Sequence, residues 1–134
     1  MSGNVKGIVI IAVGFPCYGT WAFNLCMSIK ANDPGASVTL LYDQKGFGHI
    51  KTFDYIFNST IEIPAEFMQS NGMESLLRPK VCLYDLSPYE ETIFIDADVI
   101  GFPKKKISDL FEILKDVDFT IGNRGVIDPV QESK

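Results

Sequence analysis

Two aspartates separated by one residue, Asp96 and Asp98, directly follow the apolar segment Thr92-Ile93-Phe94-Ile95. Like charges held this close repel each other and each loses hydration, and a bound divalent cation removes that cost. Carboxylate oxygens suit Mg²⁺ or Mn²⁺, and an ion held by few protein oxygens keeps positions for the phosphates of a nucleotide. The pair therefore predicts a metal site, with the alternative that Asp98 caps a turn and Asp96 only ends a strand.

The elements that would position this pair alternate along the chain. Residues 7–13 form a continuous apolar run rich in β-branched side chains, which is typical of a central parallel strand covered on both faces. Apolar residues then recur at helical spacing: Trp21, Ala22, Leu25, Cys26 and Ile29. Further strands are predicted at residues 37–42, 60–63, 92–95 and 119–121. Helices are predicted at residues 46–57, 79–86 and 108–114, and a mobile connection at residues 66–75.

Strands that alternate with helices predict an α/β fold with an open, mainly parallel sheet and helices on both of its faces. We expect one domain over residues 1–125 and a polar, frayed tail over residues 126–134. Sheets of this kind bind ligands outside the carboxyl ends of their strands. The loop after the first strand, Asp43 after the second strand, and residues 96–98 after the fourth are therefore predicted to converge.

The composition argues against several classes of function. Twelve basic and seventeen acidic residues give a formal net charge of −5, which disfavours a nucleic acid partner held by basic surface. Three cysteines without a C-x-x-C spacing predict neither a disulfide framework nor a zinc site, and they fit a reducing compartment. The apolar run at residues 7–15 is too short to span a bilayer, so we expect a cytoplasmic protein without a membrane span.

The acidic pair and its surroundings resemble the D-x-D segment of GT-A-fold glycosyltransferases. The resemblance lies in residues 92–100 (TIFIDADVI), with residues 78–86 (RPKVCLYDL) upstream of them. Within that fold the segment is most similar to glycosyltransferase family 8, the group of glycogenin and galactinol synthase. It extends to residues 9–13 as the first nucleotide-binding strand and to residues 40–43 as the second.

This resemblance implies that Asp96 and Asp98 bind Mn²⁺ or Mg²⁺, which bridges the diphosphate of a nucleotide sugar, with Ala97 close to the ribose. It implies that Lys80 approaches the phosphate or the sugar. Asp43 is a further candidate for contacting the nucleoside. Residues of the nucleoside pocket would be Ala12, Val13, Gly14 and Tyr18. The implied activity is transfer of a hexose from a UDP-sugar to the hydroxyl of an unknown acceptor, with retention of anomeric configuration.

The chain also departs from that family. Family members are usually about twice as long, and their later half supplies a third metal ligand, a histidine, and most of the acceptor site. The sole histidine here, His49, precedes the acidic pair and is interpreted as a surface or loop residue. We therefore expect a truncated, nucleotide-sugar-binding half. Its sheet edge near residues 119–121 would be covered by a second copy, a partner or a missing half.

Other classes of protein share parts of the pattern. Residues 14–20 nearly fit a phosphate-binding loop, but Thr20 stands where its lysine would be. Asp96 and Asp98 fit the nucleophile and the acid–base residue of a haloacid-dehalogenase-type phosphatase, although that family begins with the motif and needs more chain after it. A receiver domain would need an acidic pair after the first strand, and a dinucleotide-binding domain would need G-x-G-x-x-G. A nucleotide-sugar-binding or interaction module without catalysis remains open.

Overall fold

The structure, a computed structural model, describes residues 6–98 and Phe111. Its larger elements, in chain order, are strand β1 (Lys6–Ala12), helix α1 (Pro16–Asn32), β2 (Val38–Tyr42), α2 (Gln44–Phe47), a 3₁₀ segment (Gly48–Ile56) and β3 (Ser59–Glu62). These are followed by a 3₁₀ turn (Ala65–Met68), β4 (Gln69–Ser70), β5 (Met73–Glu74), α3 (Arg78–Val81), α4 (Leu83–Leu86) and β6 (Glu91–Asp96).

The main sheet has four parallel strands in the order β3–β2–β1–β6. Ile8 of β1 lies opposite Val38 of β2 on one side and opposite Ile93 of β6 on the other. The apolar run therefore forms an interior strand, and Val9 is completely buried. The predicted open parallel sheet with a central first strand is confirmed.

Alternate residues of β1 pack into two separate apolar cores, one on each face of the sheet. Ile8 and Ile10 pack with the α1 side chains of Leu25 and Ile29. Val9 and Ile11, together with the following residue Val13, pack on the other face with a second group of side chains: Leu41, Ile63, Met68, Leu86 and Tyr89. Because successive side chains of a strand point to opposite faces, a wholly apolar strand needs cover on both. The structure supplies it, with helices on both faces as predicted.

Helix α1 begins at Pro16, before its apolar pattern, and buries four of the five residues predicted at helical spacing: Ala22, Leu25, Cys26 and Ile29. Trp21, the fifth, is 42% exposed. The buried stripe begins at Gly19, where an added Cβ would overlap the backbone carbonyl oxygen of Gly46. The absence of a side chain at Gly19 lets α1 approach α2 closely.

Residues 46–57, predicted as one helix, divide into the single turn of α2 and a kinked 3₁₀ segment. Asp43 caps α2, since its carboxylate accepts a hydrogen bond from the Gly46 amide at 2.7 Å. A Cβ at Gly46 would overlap the carbonyl oxygen of Ala12, so this turn packs directly against the end of β1. The kink lies at Ile50, whose φ of −126° and ψ of 29° are not helical.

Two further segments differ from expectation. Residues 66–75, predicted as a mobile connection without regular structure of its own, form part of a 3₁₀ turn and a short antiparallel hairpin. Asn71 and Gly72 join its strands with φ values of 56° and 79°, the conformation that an Asn-Gly hairpin turn favours. The helix predicted at residues 79–86 is two short helices separated at Cys82, and Tyr84 of the second one is exposed.

The helix predicted at residues 108–114, the strand at residues 119–121 and the tail at residues 126–134 lie outside the described residues, apart from Phe111. This phenylalanine is buried, and the Lys6 ammonium lies 5.9 Å from the centre of its ring. None of the helices in the described ranges has the length and apolar character that crossing a membrane requires.

Candidate functional site

A cleft of about 180 Å³ opens where β1 and β6 end. Parallel strands end at the same edge of their sheet, so the residues that follow β1 and those that close β6 become neighbours there. The lining residues are Ile11, Val13, Tyr18, Leu76, Leu77, Lys80, Asp96, Ala97 and Asp98. Six of the residues predicted for the site therefore line one cleft: Val13, Tyr18, Lys80, Asp96, Ala97 and Asp98.

The acidic pair is placed by the alternation of side chains at the end of β6. Ile95 and Ala97 are buried in the core that faces α1. Asp96 and Asp98 are exposed. Because side chains alternate along an extended chain, burial of residues 95 and 97 leaves both carboxylates on the other side, where they line the cleft.

Lys80 provides the positive charge of the cleft. Its Nζ lies 3.0 Å from Oδ1 of Asp96, and the two side chains are 44% and 53% exposed. The ammonium also lies 5.7 Å from the centre of the Phe94 ring, which favours a cation over its face. The preceding residue, Pro79, is fully buried and anchors the backbone of α3 beneath this side chain.

The donor set of the cleft fits a divalent cation that is shared with a ligand. Two carboxylates line the cleft. Among the described residues, no three or more histidine, cysteine, aspartate or glutamate side chains lie close enough together to hold a metal ion by themselves. Mg²⁺ is commonly held by one or two carboxylates plus substrate phosphates, with water completing its octahedron. Asp96 and Asp98 could hold such an ion, whereas a closed protein cage would need more oxygen ligands.

The residues predicted from the first strand separate into two groups. Val13 and Tyr18 line the cleft, whereas Ala12 is fully buried in the core. Gly14 adopts a φ of 89°, and a Cβ there would lie 2.6 Å from the Leu76 side chain. Leu76 thus covers Gly14, which is not among the lining residues.

Asp43 lies beside this loop and bonds to the backbone. Its carboxylate accepts hydrogen bonds from the Gly14 amide, at 3.1 Å to Oδ1 and 3.3 Å to Oδ2, as well as from the Gly46 amide. These bonds tie the loop after β1 to the first turn of α2. The structure therefore gives Asp43 a structural contact and does not place it among the lining residues of the cleft.

Sequence reasoning missed the apolar wall formed by Leu76 and Leu77. Leu77 is 67% exposed although it lines the cleft. Both residues follow a hairpin whose residues the sequence predicted as a mobile connection, so no periodicity marked Leu76 and Leu77. The available signal was their position just before Pro79, because the residues before a helix at a strand-end site commonly border it.

Two aromatic contacts extend from the cleft along the start of α1. The Tyr18 ring contacts Phe15 and Trp21, with centroid distances of 6.1 Å and 5.3 Å. His49 lies apart from the cleft lining; it is exposed, and its Nε2 lies 3.5 Å from the Thr20 hydroxyl. The interpretation of His49 as a surface residue is consistent with that exposure.

Comparison with known proteins adds no relative to this description. The chain matches no protein-family model, and a search of curated proteins returns no match.

Proposed function

We propose that this chain binds a UDP-sugar together with Mn²⁺ or Mg²⁺, as the donor-binding part of a GT-A-type hexosyltransferase. The observation that carries the proposal is the meeting of Asp96, Asp98 and Lys80 in one cleft at the carboxyl ends of parallel strands. Charged groups of both signs beside an apolar wall suit a ligand with a diphosphate at one end and rings at the other. The uridine and the hexose follow from the family resemblance alone.

The charge of the cleft favours joint binding of a cation and a diphosphate. Two carboxylates and one ammonium leave one net negative charge among the lining side chains. A diphosphate alone would be repelled by this charge, and a divalent cation at the acidic pair would reverse its sign. Diphosphate affinity should therefore depend on the metal.

Several lining residues have separate parts in the proposed reaction. The bond between the anomeric carbon and the diphosphate oxygen breaks, and its electron pair stays on the diphosphate. The acceptor hydroxyl oxygen forms the new bond to that carbon, and its proton passes to the departing diphosphate or to water. When bound, the divalent cation would neutralise the charge that develops on the departing diphosphate. Lys80 can donate hydrogen bonds to a phosphate oxygen, and Tyr18, Leu76 and Leu77 can exclude water from one side of a ring. No residue is assigned as the general base.

Calorimetric titration of the chain tests the binding proposal. UDP and a panel of nucleotide sugars are titrated with Mn²⁺ and then with excess chelator. We expect binding with Mn²⁺ and a loss of at least about tenfold in affinity with chelator, because the acidic pair repels an unneutralised diphosphate. Equal affinity in both conditions would reject a metal-bridged ligand.

Asp96→Asn and Asp98→Asn should each weaken the metal-linked binding of UDP by about tenfold or more, because each removes one of two carboxylate ligands. Asp54→Asn is the matched control, since Asp54 is also paired with a lysine, Lys51, at 3.2 Å but lies outside the cleft lining. A loss of the same size in Asp54→Asn would show that the acidic pair has no special role.

A binding module without catalysis is a second candidate, favoured by a small cleft that leaves little room for an acceptor beside the donor. At about 180 Å³ it is smaller than the roughly 300–1,000 Å³ of typical ligand pockets. Release of UDP in the presence of sugar donors and hydroxyl acceptors separates the two candidates. Turnover at about 1 per second or faster would identify an enzyme, whereas binding without release of UDP would identify a module.

A further inference from the structure

The Lys80 ammonium lies where it competes with any other cation for Asp96. It is 3.0 Å from Oδ1, which is the distance of a charge-assisted hydrogen bond. A divalent cation ligated by the same carboxylate would lie close to the ammonium, and two cations on one carboxylate repel each other. Lys80 and a divalent cation therefore compete for Asp96.

We infer that Lys80 is an internal counter-ion of the acidic pair, which a divalent cation displaces only when a diphosphate arrives to receive the ammonium. The diphosphate part of this inference rests on the proposed function. Before ligand binding, Asp96 is neutralised by Lys80. After binding, Asp96 faces the metal and Lys80 faces a phosphate oxygen, so both Asp96 and Lys80 keep a partner of opposite charge.

The surroundings of Lys80 permit this exchange at low cost. Both side chains are about half exposed, so water can replace their contact while the ammonium moves. The backbone stays in place because Pro79 is buried and the Lys80 amide donates to the Leu77 carbonyl at 3.0 Å. The ring of Phe94, 5.7 Å from the ammonium, attracts a cation and so opposes its departure into solvent.

The exchange makes the metal and the diphosphate bind cooperatively. A metal that binds without a diphosphate must break the ion pair and leave Lys80 without a counter-charge. The affinity of the cleft for the metal alone is therefore lowered. The diphosphate removes that cost by accepting the ammonium, and thermodynamic linkage makes the effect reciprocal. Lys80 is thus a competitor of the metal for Asp96 and a direct contact for the diphosphate, so it weakens metal binding and strengthens diphosphate binding.

Mn²⁺ binding to the full chain measures the first effect, with the electron paramagnetic resonance signal of free Mn²⁺ as the readout and no nucleotide present. Lys80→Met should tighten Mn²⁺ binding about threefold to tenfold, since it frees Asp96 from a half-exposed ion pair and removes a nearby positive charge. Lys80→Arg keeps the charge and should bind Mn²⁺ within about twofold of the unmodified chain. Circular dichroism confirms that each variant is folded.

Lys45→Met is the matched control. Lys45 is also a lysine paired with one carboxylate, that of Glu74 at 3.5 Å, but neither residue lines the cleft. This variant makes the same change in net charge, and we expect it to alter Mn²⁺ affinity less than twofold because exposed charges are screened by solvent and salt. An equal effect in Lys80→Met and Lys45→Met would overturn the inference.

UDP titrated at saturating Mn²⁺ measures the second effect. Lys80→Met should weaken UDP binding about tenfold, because the phosphate loses a charged donor. Tighter Mn²⁺ binding together with unchanged UDP binding would overturn the exchange. If the unmodified chain binds no UDP while Lys80→Met still tightens Mn²⁺ binding, the proposed function fails and the competition for Asp96 stands, so the two failures are distinguishable.

Discussion

Replacement of Asp43 with alanine removes one acceptor that serves two backbone amides in different parts of the chain. The carboxylate caps the first turn of α2 through the Gly46 amide, at 2.7 Å, and holds the loop after β1 through the Gly14 amide, at 3.1 Å. Alanine removes both side-chain bonds: the Gly14 amide loses its carboxylate acceptor, and the Gly46 amide keeps only its 3.1 Å bond to the backbone carbonyl of residue 43. Asp43→Ala should therefore destabilise the fold at the edge of the sheet where the cleft lies.

The expected loss can be added from these two bonds. Replacing an aspartate cap with alanine costs about 1 kcal/mol. The second bond, from a backbone amide to a half-buried carboxylate, contributes about another 1–1.5 kcal/mol. A total of about 2 kcal/mol in a chain of this length lowers the melting temperature by about 6–10 °C. Asp43→Asn keeps one side-chain oxygen and should lose less than half as much.

Urea denaturation followed by circular dichroism measures the change in the free energy of unfolding. Asp54→Ala is the control, because Asp54 forms an exposed ion pair with Lys51 that is worth about 0.5 kcal/mol or less. An Asp43→Ala chain within about 0.5 kcal/mol of the unmodified one would refute the structural role. If that variant instead lost only UDP affinity, Asp43 would be a ligand contact, as the sequence first indicated.

The remaining predictions concern two buried residues of α1, Gly19 and Cys26. Gly19→Ala should destabilise the chain by about 2–3 kcal/mol in urea denaturation, because the added methyl group meets the backbone of Gly46. Gly35→Ala, whose methyl group meets no described atom within 4 Å, should change stability by about 0.5 kcal/mol or less. Burial raises the pKa of Cys26 to about 11 from 9.0, against a smaller opposing effect of a nearby lysine, so the thiol should resist alkylation at pH 8 while the exposed Cys17 reacts, as mass spectrometry can measure. The unfolded chain loses this proton at lower pH than the folded one, so the stability that Cys26 contributes should decline as the pH rises from 9 towards 11, and Cys26→Ala should lack this decline.

The sheet was predictable because its sequence signals are local. A continuous apolar run without alternation fits only a strand covered on both faces, and residues 6–12 form that strand. The alternation of buried and exposed residues at 95–98 likewise fixes the side on which the two carboxylates lie. The periodicity and the residue types of a segment are enough to predict its structure where the burial of side chains along that one element determines it.

The errors occur where backbone meets backbone across the chain. Trp21 looked like a core residue on helical spacing, but it is exposed, and the buried residue at this end of α1 is Gly19, which approaches the backbone of Gly46. Asp43 looked like a free strand-end carboxylate, but its partners are amides at residues 14 and 46. Glycine contacts and backbone hydrogen bonds carry no periodicity, so the sequence alone gives little sign of them.

The Lys80–Asp96 ion pair is a more instructive case, because the sequence argument considered only a bound metal as the partner of the two carboxylates. Two carboxylates at a strand end require a cation, and the sequence argument assigned that cation to a bound metal. The chain supplies one itself, from a residue sixteen positions earlier that returns to the cleft only because β6 pairs in parallel beside β1. Lys80 and Asp96 lie in different elements, so their separation in sequence does not predict that they meet; the topology of the sheet brings them together. An acidic pair that already has an internal counter-ion can be stable without metal, and this is why metal affinity in the absence of a diphosphate, rather than folding, is the property that should depend on Lys80.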